Sequence, residues 1–174
     1  MSIRAVAVSA TLSVFALVTP SVAQQSPPAT APAQQAIPPY GQPLNLETAR
    51  RVVAGAEAEA TKSGWPVAIS VVDSTGHLVL FEKLDNTQYG SIDVATQKAV
   101  TAISYRRPGK AFQDAVAGGG VGLRVLTLPS ISAYEGGYPL FVDGKLVGAV
   151  GVSGVLPPQD DQVARAGVEA LKAQ

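Results

Sequence analysis

The chain is 174 residues long, with 13 basic and 13 acidic residues, one histidine and no cysteine. This length predicts a single domain, and the balanced charge excludes an electrostatic nucleic-acid binder, which would carry a basic surface. The lack of cysteine excludes disulfides, a thiolate nucleophile and any zinc, haem or iron–sulfur cluster held by cysteine.

The first 23 residues have the pattern of a cleavable signal peptide. Arg4 supplies a positive charge, residues 5–18 are mainly apolar, and residues 21–23 include small side chains at the positions that a signal peptidase needs. The apolar stretch is shorter than the roughly 20 residues of a membrane-spanning helix. We therefore expect cleavage near Ala23-Gln24, a periplasmic or secreted mature protein, and no membrane span after cleavage.

A Pro/Ala/Gln-rich segment, residues 24–43, follows the predicted cleavage position. It contains six prolines and few large apolar residues, so we expect a disordered linker. The predicted folded domain is residues 44–174. It opens with a helix that Asn45 caps and Gly64 ends, because apolar residues between them repeat at helical spacing.

Two strands and a second helix are predicted next. The strands are Val67–Val72 and His77–Leu84, joined by the turn residues 73–76 into a hairpin. The second helix is expected to begin at Ser91 and to run to about Ser104.

The C-terminal half predicts a short helix over Lys110–Ala117 and an ambiguous segment, residues 121–132. The strands Tyr138–Val142 and Lys145–Val152 flank Asp143-Gly144, a strong hairpin signal, and Asp160 or Asp161 is expected to cap a last helix. Hairpin connections predict an α+β fold, in which helices pack on an antiparallel sheet, and not the parallel sheet of a dinucleotide-binding domain.

The end of the second predicted helix carries a polar cluster. Lys98 and Tyr105 lie two turns apart on one side of the helix, and two arginines follow. Guanidinium groups bind carboxylates through paired hydrogen bonds, so the cluster predicts a site for an acidic ligand; a solvated helix end is the alternative. The predicted ligand-binding residues are Lys98, Tyr105, Arg106, Arg107, Tyr134, Gly136, Gly137 and Ser153.

His77 is the single histidine and directly follows a predicted turn. Because no second histidine stands at metal-binding spacing, we expect no structural zinc. One axial histidine is enough for haem iron, so His77 is a candidate haem ligand, and an exposed surface residue is the alternative. The glycine cluster 118–122 lacks the Lys-Ser/Thr pair of a phosphate-binding loop, so we expect no nucleotide. Ser153 lacks the full pattern of a hydrolase nucleophile, because Gly151 stands two residues before it but no glycine stands two residues after it.

Five short segments occur in an order typical of one protein family. They are V-V-D-x-x-G-x-L at 71–78, A-x-x-K-A-x-T-A at 95–102, G-G-x-P-L at 136–140, V-G-A-x-G-V-S-G at 147–154, and Gln-Asp at 159–160. Residues 44–174 thereby resemble the GlcG/HbpS haem-binding family. The resemblance implies a homo-oligomer and a three-layer α/β/α, profilin-like fold, in which helices cover both faces of a five-stranded antiparallel sheet. The fifth strand is then expected within residues 121–132.

Some members of this family bind haem and take part in its sensing or degradation, so the resemblance implies haem as the cofactor. The chain departs from the family at Pro108-Gly109, where haem-binding relatives often have Pro-Thr, and at residues 83–85, which read Lys-Leu-Asp for Arg-Met-Asp. We expect a haem-binding or small-ligand-binding protein that acts in haem sensing, sequestration or degradation. The alternatives are an isomerase or lyase that uses Lys98 and Tyr105 on a small acid, and a structural oligomer without ligand.

Overall fold

The computed structural model describes residues 37–172, so the predicted signal peptide, most of the predicted linker and the last two residues lie outside this range. The elements in chain order are α1 (Leu46–Ser63), β1 (Ala68–Asp73), β2 (Leu78–Lys83), α2 (Gly90–Tyr105), α3 (Lys110–Ala117), a 3-10 helix (Gly120–Thr127), β3 (Gly137–Val142), β4 (Lys145–Ser153) and α4 (Pro157–Lys172). None of the helices in the described range is long and apolar enough to cross a membrane.

The strands form one antiparallel sheet in the order β2-β1-β4-β3. The central strands β1 and β4 are almost entirely buried, which explains their nearly unbroken apolar sequences. Asp143 and Gly144, with φ of 50° and 71°, form the two-residue turn between β3 and β4. Positive φ at both positions matches the twist of a tight hairpin, so the predicted turn is confirmed.

Helices cover both faces of this sheet. On one face α1 and α4 pack against Ile69, Val71, Val150 and Val152 in the larger apolar core. On the other face α2 packs against β1 and β4 in a second, smaller core of alanines, Val72, Ile103 and Leu146. The small side chains on this second face bring α2 close to the sheet, and its position fixes the residues that follow it.

Local sequence signals account for the ends of α1. The Asn45 side chain accepts a hydrogen bond from the backbone N–H of Thr48 at 2.9 Å, and Gly64 closes the helix in the left-handed conformation with φ of 67°. Both features follow from residue chemistry, because asparagine caps the first turn and glycine adopts positive φ without strain.

The sheet differs from the expected five-stranded form. Within residues 37–172 it has four strands, and residues 120–127, where the fifth was expected, form the 3-10 helix. A side-chain carbon on Gly122 would collide with the carbonyl oxygen of Ala115, so the chain here folds back onto α3. Val125 alone is buried in this segment, and the alternation that a half-buried strand needs is absent from it.

The last helix also begins earlier than expected. Pro157 is its first residue, a position that proline tolerates because the first N–H groups of a helix have no partner within the helix. Asp160 therefore lies in the first turn and Asp161 directly after it, so neither residue precedes the helix. One Asp160 oxygen, Oδ1, still reaches back and accepts from the N–H of Val155 at 3.1 Å.

Residues that precede Leu44 also contact the sheet. The Gly41 N–H donates to the carbonyl oxygen of Leu146 at 2.8 Å, and the Leu146 N–H donates to that of Pro39 at 2.9 Å. Tyr40 and Leu146 form an isolated parallel bridge. The ordered contacts of the domain thus include residues 38–43, at the end of the predicted linker.

Candidate ligand-binding cleft

A cleft of ≈ 450 Å³ lies between the end of α2, α3 and the 3-10 helix. Its apolar lining includes the side chains of Phe112, Val121, Val125 and Leu128. This volume is within the range of small-molecule sites, which combine apolar walls with a few polar groups. The polar side chains that line it are Tyr105, Arg107, Arg124 and Thr127.

The end of α2 positions the first two of these polar residues. Tyr105 is the last residue of the helix, and its hydroxyl donates to the carbonyl oxygen of Pro129 at 2.8 Å. Its ring meets that of Phe112 edge-on, with centroids 5.4 Å apart. The phenol oxygen keeps lone pairs for a further partner, because its hydrogen is directed at Pro129.

The two arginines give the cleft its charge. Arg107 Nε donates to the carbonyl oxygen of Tyr105 at 3.2 Å, and its guanidinium lies 5.5 Å from the centre of the Phe112 ring. Arg124 lines the same cleft from the 3-10 helix. No acidic side chain lines the cleft, and neither arginine forms an ion pair within residues 37–172. The cleft therefore suits an apolar ligand that carries carboxylates.

Lys98 lies elsewhere, in a buried ion pair. Its ammonium donates to Asp160 Oδ2 and to the carbonyl oxygen of Val152, both at 2.8 Å, and the two paired side chains are 2% and 3% exposed. Burial lowers the pKa of Lys98, and Asp160 opposes that change. Burial likewise raises the pKa of Asp160, against the effect of Lys98. The pair joins α2 to α4, which makes Lys98 a structural residue.

The two predicted glycines pack around this pair. Gly136 has φ of 100°, and a side-chain carbon there would lie 2.9 Å from the Asp160 Cβ and 3.1 Å from the Lys98 ammonium. Gly137 approaches the backbone of Lys98. Ser153 is buried nearby, and its hydroxyl donates to that of Ser91 at 3.2 Å. These positions hold α2 against the sheet and do not line the cleft.

The other predicted residues lie apart from both groups. Arg106 points away from the cleft and stacks on the ring of Tyr40, 4.3 Å from its centre. Tyr134 lines a separate, largely apolar cavity of ≈ 550 Å³ beside α3. The structure thus brings together Tyr105 and Arg107, and no cleft described in residues 37–172 is lined by both Lys98 and Tyr105.

His77 lies at the tip of the β1–β2 hairpin and is exposed. Its Nδ1 lies 2.7 Å from the Thr75 hydroxyl, which donates to Asp73 Oδ1 at 2.6 Å. Burial raises the pKa of the Asp73 carboxyl, but the hydrogen bonds that it accepts from the Thr75 hydroxyl and from the backbone N–H groups of His77 and Thr75 lower it more, so the net pKa is lowered. Within the described residues no group of three or more histidine, aspartate or glutamate side chains is arranged to hold a metal ion. In the structure His77 completes a turn.

Sequence reasoning missed three residues of consequence. Arg124 and Phe112 join the cleft because α3 and the 3-10 helix fold against each other, and their segment carried no clear periodicity. Asp160 was expected only as a helix cap, but it is the partner of Lys98, 62 positions away in the chain. Its place directly after Pro157-Pro158-Gln159 is the only local signal, and it indicates a helix start and not a pairing.

The protein is an α/β/α domain with an antiparallel sheet and an arginine-lined cleft. This fold and this site place it in the class of small-ligand-binding domains. Residues 44–169 match the family described as "Haem degrading protein HbpS-like", and the chain belongs to this family. The expected family is thereby confirmed.

Individual relatives agree with this assignment. The chain is 37% identical to protein GlcG of Escherichia coli K12 over 110 residues, which are 63% of this chain and 81% of GlcG. A double mutant of HbpS from Streptomyces reticuli has a similar structure, with TM-score 0.69, 31% identity, and 83% and 99% of the two chains covered. The crystal structure of the PduOC:heme complex is also similar, with TM-score 0.67, 27% identity, and coverage of 74% and 94%.

Proposed function

We propose that this protein binds haem, or a similar flat apolar molecule with carboxylate groups, in the cleft between α2, α3 and the 3-10 helix. The observation that carries the proposal is the pair of guanidinium groups, Arg107 and Arg124, beside apolar walls that hold no acidic side chain. The similar PduOC structure is a haem complex, and the family description names haem. Both support the choice of ligand.

The residues of the cleft fit haem in three respects. Phe112, Val125 and their apolar neighbours would contact the macrocycle, and the guanidinium groups would pair with its propionates. Tyr105 would offer a phenol oxygen, a group that can hold haem iron. His77 does not fit, because it lines none of the clefts in the described residues.

Bound haem would supply a redox-active iron, while the residues of the chain hold the group and neutralise its charge. Together with the predicted signal peptide, this supports a role in sequestering or sensing haem in the periplasm or outside the cell. We do not propose the isomerase or lyase alternative, because the Lys98 ammonium is buried in its pair with Asp160. Amino-terminal sequencing of the mature protein tests the location, and a chain that retains its first 23 residues would contradict it.

Haemin titration followed by absorption spectroscopy tests the proposed function. We expect a shifted Soret band for the unmodified chain, and about tenfold weaker binding for Arg107→Ala and for Arg124→Ala, because each loses a charge-assisted hydrogen bond. Arg50→Ala is the matched control, since Arg50 is an exposed residue of α1. Tyr105→Phe should keep most of the affinity and change the position of the Soret band.

Two results would overturn the proposed function. One is the absence of any haemin-dependent spectral shift in the unmodified chain. The other is equal affinity of the two cleft variants and the Arg50→Ala control, which would place haemin elsewhere on the protein. Haemin dimethyl ester, in which the propionates carry no charge, should bind equally well to the unmodified chain and to both cleft variants.

We also propose that the protein is a homo-oligomer, as the family resemblance implies. Exposed apolar side chains support this proposal, since Val121 and Leu126 of the 3-10 helix are 85% and 58% exposed, and Tyr134 nearby is 55% exposed. Light scattering coupled to size-exclusion chromatography should give a mass of at least two chains. A monomer at micromolar concentration would contradict the proposal.

A further inference from the structure

The segment 38–44, which we call the strap, adds a short extension to the sheet. Besides the two hydrogen bonds between Leu146 and residues 39 and 41, the N–H of Leu44 donates to the carbonyl oxygen of Val147 at 3.0 Å. Pairing of β1 with β4 ends at Asp73 and Gly148. The strap therefore occupies the side of β4 that β1 leaves open.

The strap also contacts the end of α2 through its own side chains and carbonyls. The Tyr40 hydroxyl donates to the carbonyl oxygen of Ile103 at 3.1 Å, which leaves its ring beside the helix end. The guanidinium of Arg106 lies 4.3 Å above the centre of that ring, and Arg106 Nη1 donates to the carbonyl oxygen of Pro38 at 3.3 Å. Arg106 is thus held on two sides by the strap.

Arg106 has an unusual backbone conformation. Its φ is 56°, in the left-handed region, and its N–H donates to the carbonyl oxygen of Ala102 where α2 ends. This conformation is disfavoured for a residue with a side chain, because the Cβ approaches the following carbonyl oxygen. The neighbours of Arg106 in the chain, Tyr105 and Arg107, both line the proposed ligand cleft.

We propose that the strap is a positioning element of the ligand cleft and that it acts through Arg106. Its contacts hold the Arg106 side chain in a position that requires the left-handed backbone conformation. This conformation directs the Arg107 side chain toward the cleft. A right-handed Arg106 would continue α2 and would place the Arg107 side chain at the next helical position, about 100° around the helix axis from that of Arg106. The consequence for the ligand rests on the proposed function, whereas the effect on the backbone does not.

Three substitutions in the full chain separate the strap contacts from the backbone conformation. Arg106→Ala removes both contacts of the Arg106 side chain, Tyr40→Ala removes the contact with the ring, and both variants keep a side-chain carbon at position 106. Arg106→Gly also removes them, but glycine adopts the left-handed conformation without strain, so the backbone should stay in place. Arg106→Gly is therefore the matched control for Arg106→Ala.

The first measurement needs no ligand. The Arg107 N–H donates to the carbonyl oxygen of Ala102 at 3.3 Å, so its hydrogen exchange, followed by NMR, reports on the end of α2. We expect about fivefold faster exchange of this amide in Tyr40→Ala and Arg106→Ala, as a lost cation–π contact of this size allows, and an unchanged rate in Arg106→Gly. Unchanged exchange in both alanine variants would overturn the inference.

The second measurement compares haemin with its dimethyl ester. We expect both alanine variants to bind haemin about fivefold more weakly, with a smaller loss for the ester, because Arg107 acts on the propionates. Equal losses for both ligands, or an equal loss in Arg106→Gly, would indicate general destabilisation and would refute positioning. If the unmodified chain binds no haemin, the proposed function fails, and amide exchange alone decides the inference.

Discussion

The variant Lys98→Met tests the buried ion pair that joins α2 to α4. Methionine is unbranched like lysine and only one heavy atom shorter, and it removes the charge, so the cavity that is formed is small. Asp160, with a side chain 3% exposed, would then be left without its cation. Loss of one partner from such a pair typically costs about 3–5 kcal/mol. A domain of this kind is stable by about 5–15 kcal/mol, so the variant should lose a large share of its free energy of unfolding.

The cost should depend on pH, and the direction follows from Asp160. Burial already raises the pKa of this carboxyl in the native protein, and Lys98 opposes the rise. Without Lys98 the folded-state pKa lies still further above that of the unfolded chain. The charged carboxyl then destabilises the folded state at neutral pH. This loss diminishes as pH falls through the raised folded-state pKa, where Asp160 takes up a proton, and it ends near pH 4, where the carboxyl of the unfolded chain is protonated as well.

Urea denaturation followed by circular dichroism, at pH 7 and pH 4, measures both effects. Lys62→Met is the matched control, because the Lys62 side chain is 78% exposed and, among residues 37–172, pairs only with Glu59 at 3.7 Å. We expect its cost to stay below about 0.5 kcal/mol. The reasoning is refuted if Lys98→Met costs less than about 1 kcal/mol at pH 7, or if its cost is the same at both pH values.

Three further substitutions test other parts of the structure by the same unfolding measurement. Gly136→Ala should cost more than about 2 kcal/mol, because φ of 100° and the nearby Asp160 side chain both oppose a methyl group; a neutral effect would contradict this geometry. Asn45→Ala should cost about 1 kcal/mol through loss of the cap, whereas Asn45→Ser should cost little. Thr101→Val should cost about 1–3 kcal/mol, since the buried Thr101 hydroxyl donates to Ser130 and accepts from Ser132; an unchanged midpoint would show that these bonds add nothing.

Local sequence signals predicted most elements of this fold because the forces that define them are local. Helical periodicity together with Asn45 and Gly64 placed α1, and Asp143-Gly144 placed the second hairpin. The prediction for residues 120–127 was wrong because the structure of this segment does not follow from local signals. A fifth strand was assigned there from the family resemblance, while the residue pattern was ambiguous and the fold of the segment depends on contact with α3.

The candidate site was predicted less well from the sequence than the fold. The cluster at the end of α2 was predicted as one site, but Lys98 turns inward to Asp160 and Arg106 turns outward to Tyr40. Spacing along a helix tells which residues share a side, and it does not tell which elements cover that side. Of this predicted cluster, only Tyr105 and Arg107 line the cleft. Arg124 joins them, and its position depends on the fold of the 3-10 helix.

The middle of α2 anchors the helix to the rest of the domain, whereas the end of α2 carries residues of the cleft. Lys98 fixes the middle of the helix to α4, and Thr101, one turn later, fixes the loop that carries Ser130. Tyr105 then reaches Pro129 of that same loop from the rim of the cleft. The hydrogen bond from Lys98 to Asp160 is buried, that from Thr101 to Ser130 is partly buried, and that from Tyr105 to Pro129 is exposed. Rigidity therefore decreases along α2 toward the cleft, and a ligand held by Tyr105 and Arg107 would bind at the end of the helix where an external contact such as the strap has the most effect.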